Sequence, residues 1–301
     1  MRIVIAAIET GGTKVVCGVV SENEPRTIIR PHRISTTTPT ETISAINAYL
    51  DDVARSDEIS ALGVASFGPV NVERDRERYG WVTGTPKQSW ADTDLLGQIQ
   101  LAGTVPTAFL SDVASAALGE QTWGAGASSD RVAYATFGTG VGVGIIIGGE
   151  PLHGNGYPEL GHVMVRRHPL DRLDGTCPFH GDCLEGLASG PAIMSRWGTD
   201  ASSLPPREQR RAFAIQGYYI AQLATVTAYA TGVEKFIVGG GVLKADGLLE
   251  AAREQLAAVS GGPGGSHAAS LDRPDFLGAP ELGENSGLLG AVAAAGRVLR
   301  G

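Results

Sequence analysis

The residue types best suited to chemistry gather between positions 162 and 185. Cys177, His180 and Cys183 stand in a Cys-x-x-His-x-x-Cys frame followed by Leu184 and Glu185, with His162 fifteen residues upstream of the first cysteine. Thiolate and imidazole are the soft and borderline ligands that a closed tetrahedral Zn²⁺ site takes in fours. His162, Cys177, His180 and Cys183 are therefore a candidate structural zinc site. Three cysteines in 301 residues are too few for a disulfide framework, which fits a reducing, cytoplasmic location. The third, Cys17, falls in an apolar stretch and reads as a core residue.

A second chemistry is carried by glycine. Glu9-Thr10-Gly11-Gly12-Thr13-Lys14, the run Gly138-Thr139-Gly140-Val141-Gly142-Val143-Gly144 and Gly239-Gly240-Gly241 each follow an apolar segment. A residue without Cβ lets backbone N–H groups approach an anion closely, so three such loops point to the phosphates of a nucleotide. Neither the G-x-x-x-x-G-K-[ST] nor the G-x-G-x-x-G frame is present, which disfavours Walker and Rossmann folds. Hairpin turns that need positive φ are the plain alternative. Asp112 follows Ala108-Phe109-Leu110-Ser111 and opens an Ala-rich stretch ending at Trp123. An acid there could accept a hydroxyl proton in phosphoryl transfer, or simply cap the helix.

The elements that must position these residues follow from periodicity. Ile3 to Ile8, a glycine turn and Val15 to Val20 read as strand, turn, strand; Val132 to Phe137, the Gly138 loop and Ile145 to Ile147 repeat the unit about 130 residues later. That spacing is too long for a solenoid and fits two duplicated α/β domains. Ile43, Ile46, Tyr49, Leu50 and Val53 mark one face of a helix over 40–56, with Thr40 as its N-cap. A long helix is expected over 207–231, closed by Gly232, and Phe236-Ile237-Val238 leads the third glycine loop to an amphipathic run at Leu248, Leu249, Leu256 and Val259. Ser260 to Ser270, rich in Gly, Ser and Ala, reads as a mobile surface loop.

Composition narrows the class. With 43% hydrophobic and 19% charged residues the chain can bury a sizeable core, and 42 glycines is about twice the usual share. A net charge of -8 lacks the basic footprint of a nucleic-acid or anionic-membrane binder. No apolar run reaches the ~18 to 20 residues of a membrane span, and no export signal is visible at the N-terminus.

Taken in order, Glu9 to Lys14, Ser111-Asp112, the Gly138 loop, Glu159-Leu160-Gly161-His162, Cys177 to Glu185 and Val238 to Gly241 resemble the sugar kinases of the ROK family (repressors, open reading frames, kinases). Ser66-Phe67-Gly68-Pro69-Val70, Thr85-Pro86-Lys87-Gln88-Ser89-Trp90 and the segment from Cys177 through Pro191 look like its fructokinase branch. The resemblance spans nearly the whole chain. It implies an α/β fold of the actin and hexokinase-like (ribonuclease H-like) kind, duplicated into two domains around a central cleft. The small domain would be residues 1–111 plus 288–301, and the larger one residues 112–287 with the zinc segment.

The same resemblance implies roles. Asp112 matches the catalytic aspartate. Gly11, Gly12, Thr13 and Lys14 match the first phosphate loop of an ATP site, Gly138, Thr139 and Gly140 the second, and Gly239, Gly240 and Gly241 the adenosine motif. Glu9 stands where relatives carry Asp, near Mg²⁺ and phosphates; it either holds the ion through water or sits behind the loop. Glu159, His162 and Glu185 are implied sugar contacts, as is Ser111, where relatives usually have Asn. Gly68, Pro69, Asn71, Thr85, Pro86 and Trp90 are candidates to close over the sugar, Trp90 being equally a core candidate. Relatives usually carry Cys-x-Cys-x-x-x-x-Cys at the metal, so His168 rivals His162 as the fourth ligand. The expected activity is an ATP- and Mg²⁺-dependent fructokinase acting on the 6-hydroxyl of D-fructose, with a glucokinase, mannokinase or broad hexokinase as rivals. A homodimer is implied. A sugar-sensing repressor would need a helix-turn-helix module ahead of the first strand, and that strand begins by Arg2 or Ile3, so no nucleic-acid partner is expected.

Overall fold

The computed structural model describes residues 1–85, 87–154, 156–262 and 268–301. Pro86, expected near the sugar, and much of the Ser260 to Ser270 tract lie outside the described residues. The chain opens with β1 (Arg2–Thr10), β2 (Lys14–Ser21), β3 (Glu24–Ser35), α1 (Pro39–Ala54), β4 (Asp57–Ser66), β5 (Trp81–Val82), β6 (Thr93–Asp94), α2 (Leu95–Gln98), β7 (Thr107–Ser111) and α3 (Asp112–Trp123). It continues through β8 (Arg131–Phe137), β9 (Val141–Ile147), β10 (Glu150–Pro151), α4 (Leu184–Ala188), α5 (Gly190–Trp197), α6 (Pro206–Thr231), β11 (Lys235–Gly239), α7 (Leu248–Ser260) and β12 (Leu277–Gly278), and ends in α8 (Ser286–Arg300).

The duplication is visible in the sheets. One has strand order β3-β2-β1-β4-β7 and the other β10-β9-β8-β11-β12. In both, an antiparallel hairpin (β1–β2, β8–β9) is extended by two parallel strands (β4 and β7, β11 and β12). Parallel strands need crossovers, and the connecting helices cover the sheet faces, so the strands read as near-continuous apolar runs. In β1 alternate residues enter different cores, as a period of two requires. Val4, Ala6 and Ile8 join Ile43, Ile46 and Leu50 of α1, whereas Ile5 and Ala7 join Leu288, Ala291, Val292 and Ala295 of α8.

The chain divides into two compact units, Met1–Ala127 with Pro151–Tyr157 and Glu284–Gly301, and Ser128–Glu150 with Pro158–Gly283. Against the expected division, residues 1–111 with 288–301, the first unit also takes α3, residues 151–157 and residues 284–287; α3 lies there because it packs on α8. Ser115 Oγ donates to the Gly287 carbonyl at 2.8 Å, and a Cβ at Gly290 would collide with the Ser115 carbonyl. Helix α1 starts earlier than expected, with Thr38 rather than Thr40 as N-cap. Pro39 lacks an N–H and suits the first helical position, and Thr38 forms a capping box with Glu41. Helix α6 ends as expected at Gly232, φ 66°.

Candidate active site

In the first unit the turn between β1 and β2 is braced from behind. Gly11 N–H donates to the Lys14 carbonyl (2.8 Å), Thr36 Oγ1 to the Gly11 carbonyl (2.7 Å), and Thr36 N–H to the Thr13 carbonyl (3.0 Å). Lys87 Nζ donates to the carbonyls of Gly12 (2.7 Å) and Thr36 (3.0 Å). A Cβ at Gly12 would meet nothing within 4 Å, so this stretch of backbone can be approached closely. Lys14 Nζ stands 3.9 Å from Glu284. Sequence reasoning gave Lys87 no role of its own; the only signal was its membership of the Thr85 to Trp90 segment.

At the end of β1, Glu9 presses its carboxylate against Gly287, where any Cβ would collide with it, and accepts a hydrogen bond from Leu288 N–H in the first turn of α8. Burial, reinforced by the negative charge of Asp112, pushes the Glu9 carboxyl up to about 7, against the opposing pull of Lys14 and the Leu288 amide. The side chain therefore sits at the N-terminus of α8.

The capping role open to Asp112 belongs to its neighbour. Ser111 Oγ accepts from Ala114 N–H at 3.3 Å, which makes Asp112 the first helical residue, with Oδ1 accepting from Val113 N–H at 2.8 Å. Ser111 is 2% exposed and lines a pocket of about 60 Å³ with Val72, Phe109, Ala114, Leu152 and Tyr157. Tyr157 was not singled out by sequence, where only its place between Gly156 and Pro158 marks it. Its phenol oxygen lies against Gly68, of the cis Gly68–Pro69 bond, and accepts from Val70 N–H at 3.1 Å. The Asn71 amide is engaged in its own loop, donating to the Glu77 carbonyl (2.9 Å) and accepting from Glu73 N–H (3.3 Å). Thr85 is buried and accepts from Lys87 N–H at 3.3 Å. Of the two roles open to Trp90 the structure shows the core one: it is fully buried, its edge meets Phe67, and Nε1 donates to the Thr37 carbonyl at 2.8 Å.

In the second unit the metal candidates converge. One ligand atom from each of His162, Cys177, His180 and Cys183 lies within 4.8 Å of the others. His162 Nδ1 is 3.7 Å from Cys177 Sγ and 3.6 Å from Cys183 Sγ, and His180 Nδ1 is 3.8 Å from Cys177 Sγ. Zinc–sulfur and zinc–nitrogen bonds at tetrahedral angles place S and N roughly 3.6 Å apart, so the donor set fits Zn²⁺. A tight knuckle holds Cys177 and His180, with Cys177 and Gly181 exchanging both backbone hydrogen bonds at 3.0 to 3.1 Å. The rival His168 is turned elsewhere: its Nδ1 accepts from Leu170 N–H at 3.1 Å and its ring packs on Tyr218.

Glu185 sits in the first turn of α4, two residues past Cys183, and its Oε2 accepts from Val141 N–H at 3.0 Å. Glu159 belongs to the same electrostatic neighbourhood: burial and the charge of Glu185 raise its carboxyl, and His162 lowers it. The glycines divide by surroundings. A Cβ at Gly239 would strike the Tyr134 hydroxyl and one at Gly240 (φ 93°) the Phe137 backbone, whereas Gly138 and Gly241 have nothing within 4 Å. Thr139 is exposed at the tip between β8 and β9. Room for a ligand thus lies at Gly138 and Gly241, and the missing side chains of Gly239 and Gly240 serve packing.

Two units of one topology, each opening on a glycine-tipped hairpin, with an aspartate heading a helix after a parallel strand, are the arrangement of the actin and hexokinase-like fold. The chain belongs to the ROK family, whose profile matches residues 5–297. It is 36% identical to a fructokinase of Zymomonas mobilis over 295 residues, 97% of this chain and 96% of that one. A fructokinase of Streptococcus mutans is 35% identical over 296 residues, 97% of each chain. Among solved structures, a ROK family glucokinase from Streptomyces griseus in complex with glucose and AMPPNP matches with a TM-score of 0.74 at 25% identity, covering 97% of this chain and 99% of that one. No helix among the described residues is long and apolar enough to cross a membrane.

Proposed function

We propose that this sugar kinase transfers the γ-phosphoryl group of MgATP to D-fructose, with the 6-hydroxyl as acceptor. The observation that carries the reading is Asp112: Ser111 already caps α3, so the carboxylate at its first position is not required for the cap. In the reaction the hydroxyl proton passes to Asp112, the sugar oxygen bonds to the γ-phosphorus, and the bond to the β-phosphate oxygen breaks to release ADP. Mg²⁺ supplies charge neutralisation on the phosphates when bound. Gly11, Gly12, Thr13 and Lys14 would hold phosphate, braced by Lys87; Gly138, Thr139 and Gly140 would likewise hold phosphate and Gly241 would leave room for adenosine, while Glu159, His162 and Glu185 would face the sugar. Zn²⁺ on His162, Cys177, His180 and Cys183 would be structural, since four protein ligands leave no open position.

Fructose over other hexoses is supported by the fructokinase relatives, which match nearly the whole chain. The test is ADP release with MgATP against fructose, glucose, mannose and N-acetyl sugars. Fructose-led turnover that falls by about 10²- to 10⁴-fold in Asp112→Asn, with thermal stability kept, is the expected result. Turnover led by another hexose replaces the substrate, and no turnover on any sugar by folded, zinc-loaded protein sinks the kinase reading. Location in the cytoplasm and assembly as a homodimer are companion proposals, checked by fractionation and light scattering.

A further inference from the structure

We infer that the metal-binding segment is the clamp of the second phosphate loop, and that Glu185 is a positioning residue for the nucleotide in addition to any contact it makes with sugar. The inference rests on the reading of Gly138, Thr139 and Gly140 as a phosphate loop. Three contacts, each beside a candidate metal ligand or on the short helices that follow one, converge on that loop. Glu185, two residues after Cys183, accepts from Val141 N–H at 3.0 Å. Gly161, the residue before His162, packs its backbone on the Val141 carbonyl so closely that a Cβ would collide with it. Gly190, at the start of α5, donates its N–H to the Gly138 carbonyl at 2.7 Å.

Val141 is thus hydrogen-bonded on its N–H by Glu185, beyond one candidate ligand, and packed at its carbonyl by Gly161, beside another. Gly140 is the residue type this contact requires: a Cβ there would lie 2.7 Å from Glu185 Oε2. His162 and Cys183 would both hold the metal, and with it bound the distance between the two segments that carry them, and so the place of the loop, would be fixed. Preorganised backbone donors bind an anion better than mobile ones, because the ordering cost is met before the ligand arrives. Metal occupancy is therefore linked to nucleotide affinity even when no sugar is present.

The experiment measures binding of a non-hydrolysable ATP analogue with Mg²⁺ by calorimetry, without sugar, alongside amide exchange at Val141. Glu185→Ala should weaken the analogue by about tenfold or more, the scale of one charge-assisted hydrogen bond, and speed exchange at Val141. Glu185→Gln keeps an oxygen acceptor and should retain most of the affinity. Stripping the metal from the wild type with a chelator, then restoring Mg²⁺ in excess, should reproduce the loss, and stripping it from Glu185→Ala should add little. If Glu185→Ala fails to fold, Glu185→Asp, which keeps the charge but shortens the reach, takes its place. Unchanged nucleotide affinity in the variant, with sugar affinity alone reduced, overturns the clamp and leaves the kinase reading standing. A wild type that binds no nucleotide while Val141 is still protected overturns the kinase reading, and the coupling with it.

Discussion

Glu9 and Asp112 are two carboxyls in one neighbourhood, and the charge of Asp112 adds to burial in raising the Glu9 carboxyl. Buried against Gly287, Glu9 titrates at about 7, against an ordinary value of 4.5. Between those values the folded chain holds a proton that the unfolded chain has released, so stability falls as pH rises through the window and the full cost is present above about 7. Glu9→Gln should abolish this slope and stabilise the protein by on the order of 2 kcal/mol at pH 8, read as denaturation midpoints at pH 5 and pH 8. Equal slopes in both proteins would refute it. Lys87 invites a second test at this scale. Its ammonium is bonded to the Gly12 and Thr36 carbonyls, so Lys87→Met should raise KM for MgATP several-fold with kcat less affected; a rise confined to the sugar KM would argue against the brace. Asp112 was legible as a candidate from its residue type and its place at a helix start, and Glu9 through the family resemblance alone. What each side chain does was not, because that depended on Ser111 taking the cap and on α8 returning from the far end of the chain to meet Glu9.

Short elements around residues 160–190 show where spacing informs and where it stops. Cys-x-x-His-x-x-Cys is a local pattern whose geometry a single knuckle determines, so three candidate ligands could be read from sequence. The fourth had two candidates in sequence, His162 and its rival His168, and the placement of Leu160–His162 against Val141, with His168 packed on Tyr218, favours the first. If the four residues hold structural zinc, the purified protein carries about one Zn per chain by elemental analysis. Cys177→Ser should then lose both the metal and a few kcal/mol of stability, whereas a metal-free wild type of undiminished stability would refute the site. The glycines were similarly ambiguous. Tyr134 and Phe137 occupy the space beside Gly239 and Gly240, a tertiary fact that no loop pattern contains, so glycine alone could not be divided into packing and binding positions.

For the molecule as a whole, the repeat of strand, glycine turn and strand was enough to expect duplicated domains, because each half carries its own local signal. The two sheets bear this out with the same order of five strands. The position of α3 was harder to read, since its partner α8 lies more than 150 residues away and pairs with it through small residues, which carry little periodic signal. That partnership makes the C-terminus part of the first unit's core. Leu288, Ala291, Val292 and Ala295 fill the cluster with Ile5, Ala7, Val20, Ala61 and Ala65, and Ser286 Oγ donates to buried Glu120 at 2.7 Å. Burying a leucine or valine contributes about 1.5 to 3 kcal/mol, so Leu288, Leu289 and Val292 together represent roughly 5 to 9 kcal/mol, comparable to the ~5 to 15 kcal/mol that holds a whole domain folded. Deleting Glu284–Gly301 should therefore unfold the first unit rather than shorten it, because the β1 face opposite α1 would be stripped and Glu120 left without its Ser286 partner. Limited proteolysis of the truncated protein should show rapid cleavage within residues 1–127, in contrast to the intact chain. Protection of that segment equal to the intact protein's would mean that α8 is an appendage, and that the first unit holds its core by α1 and the sheet alone.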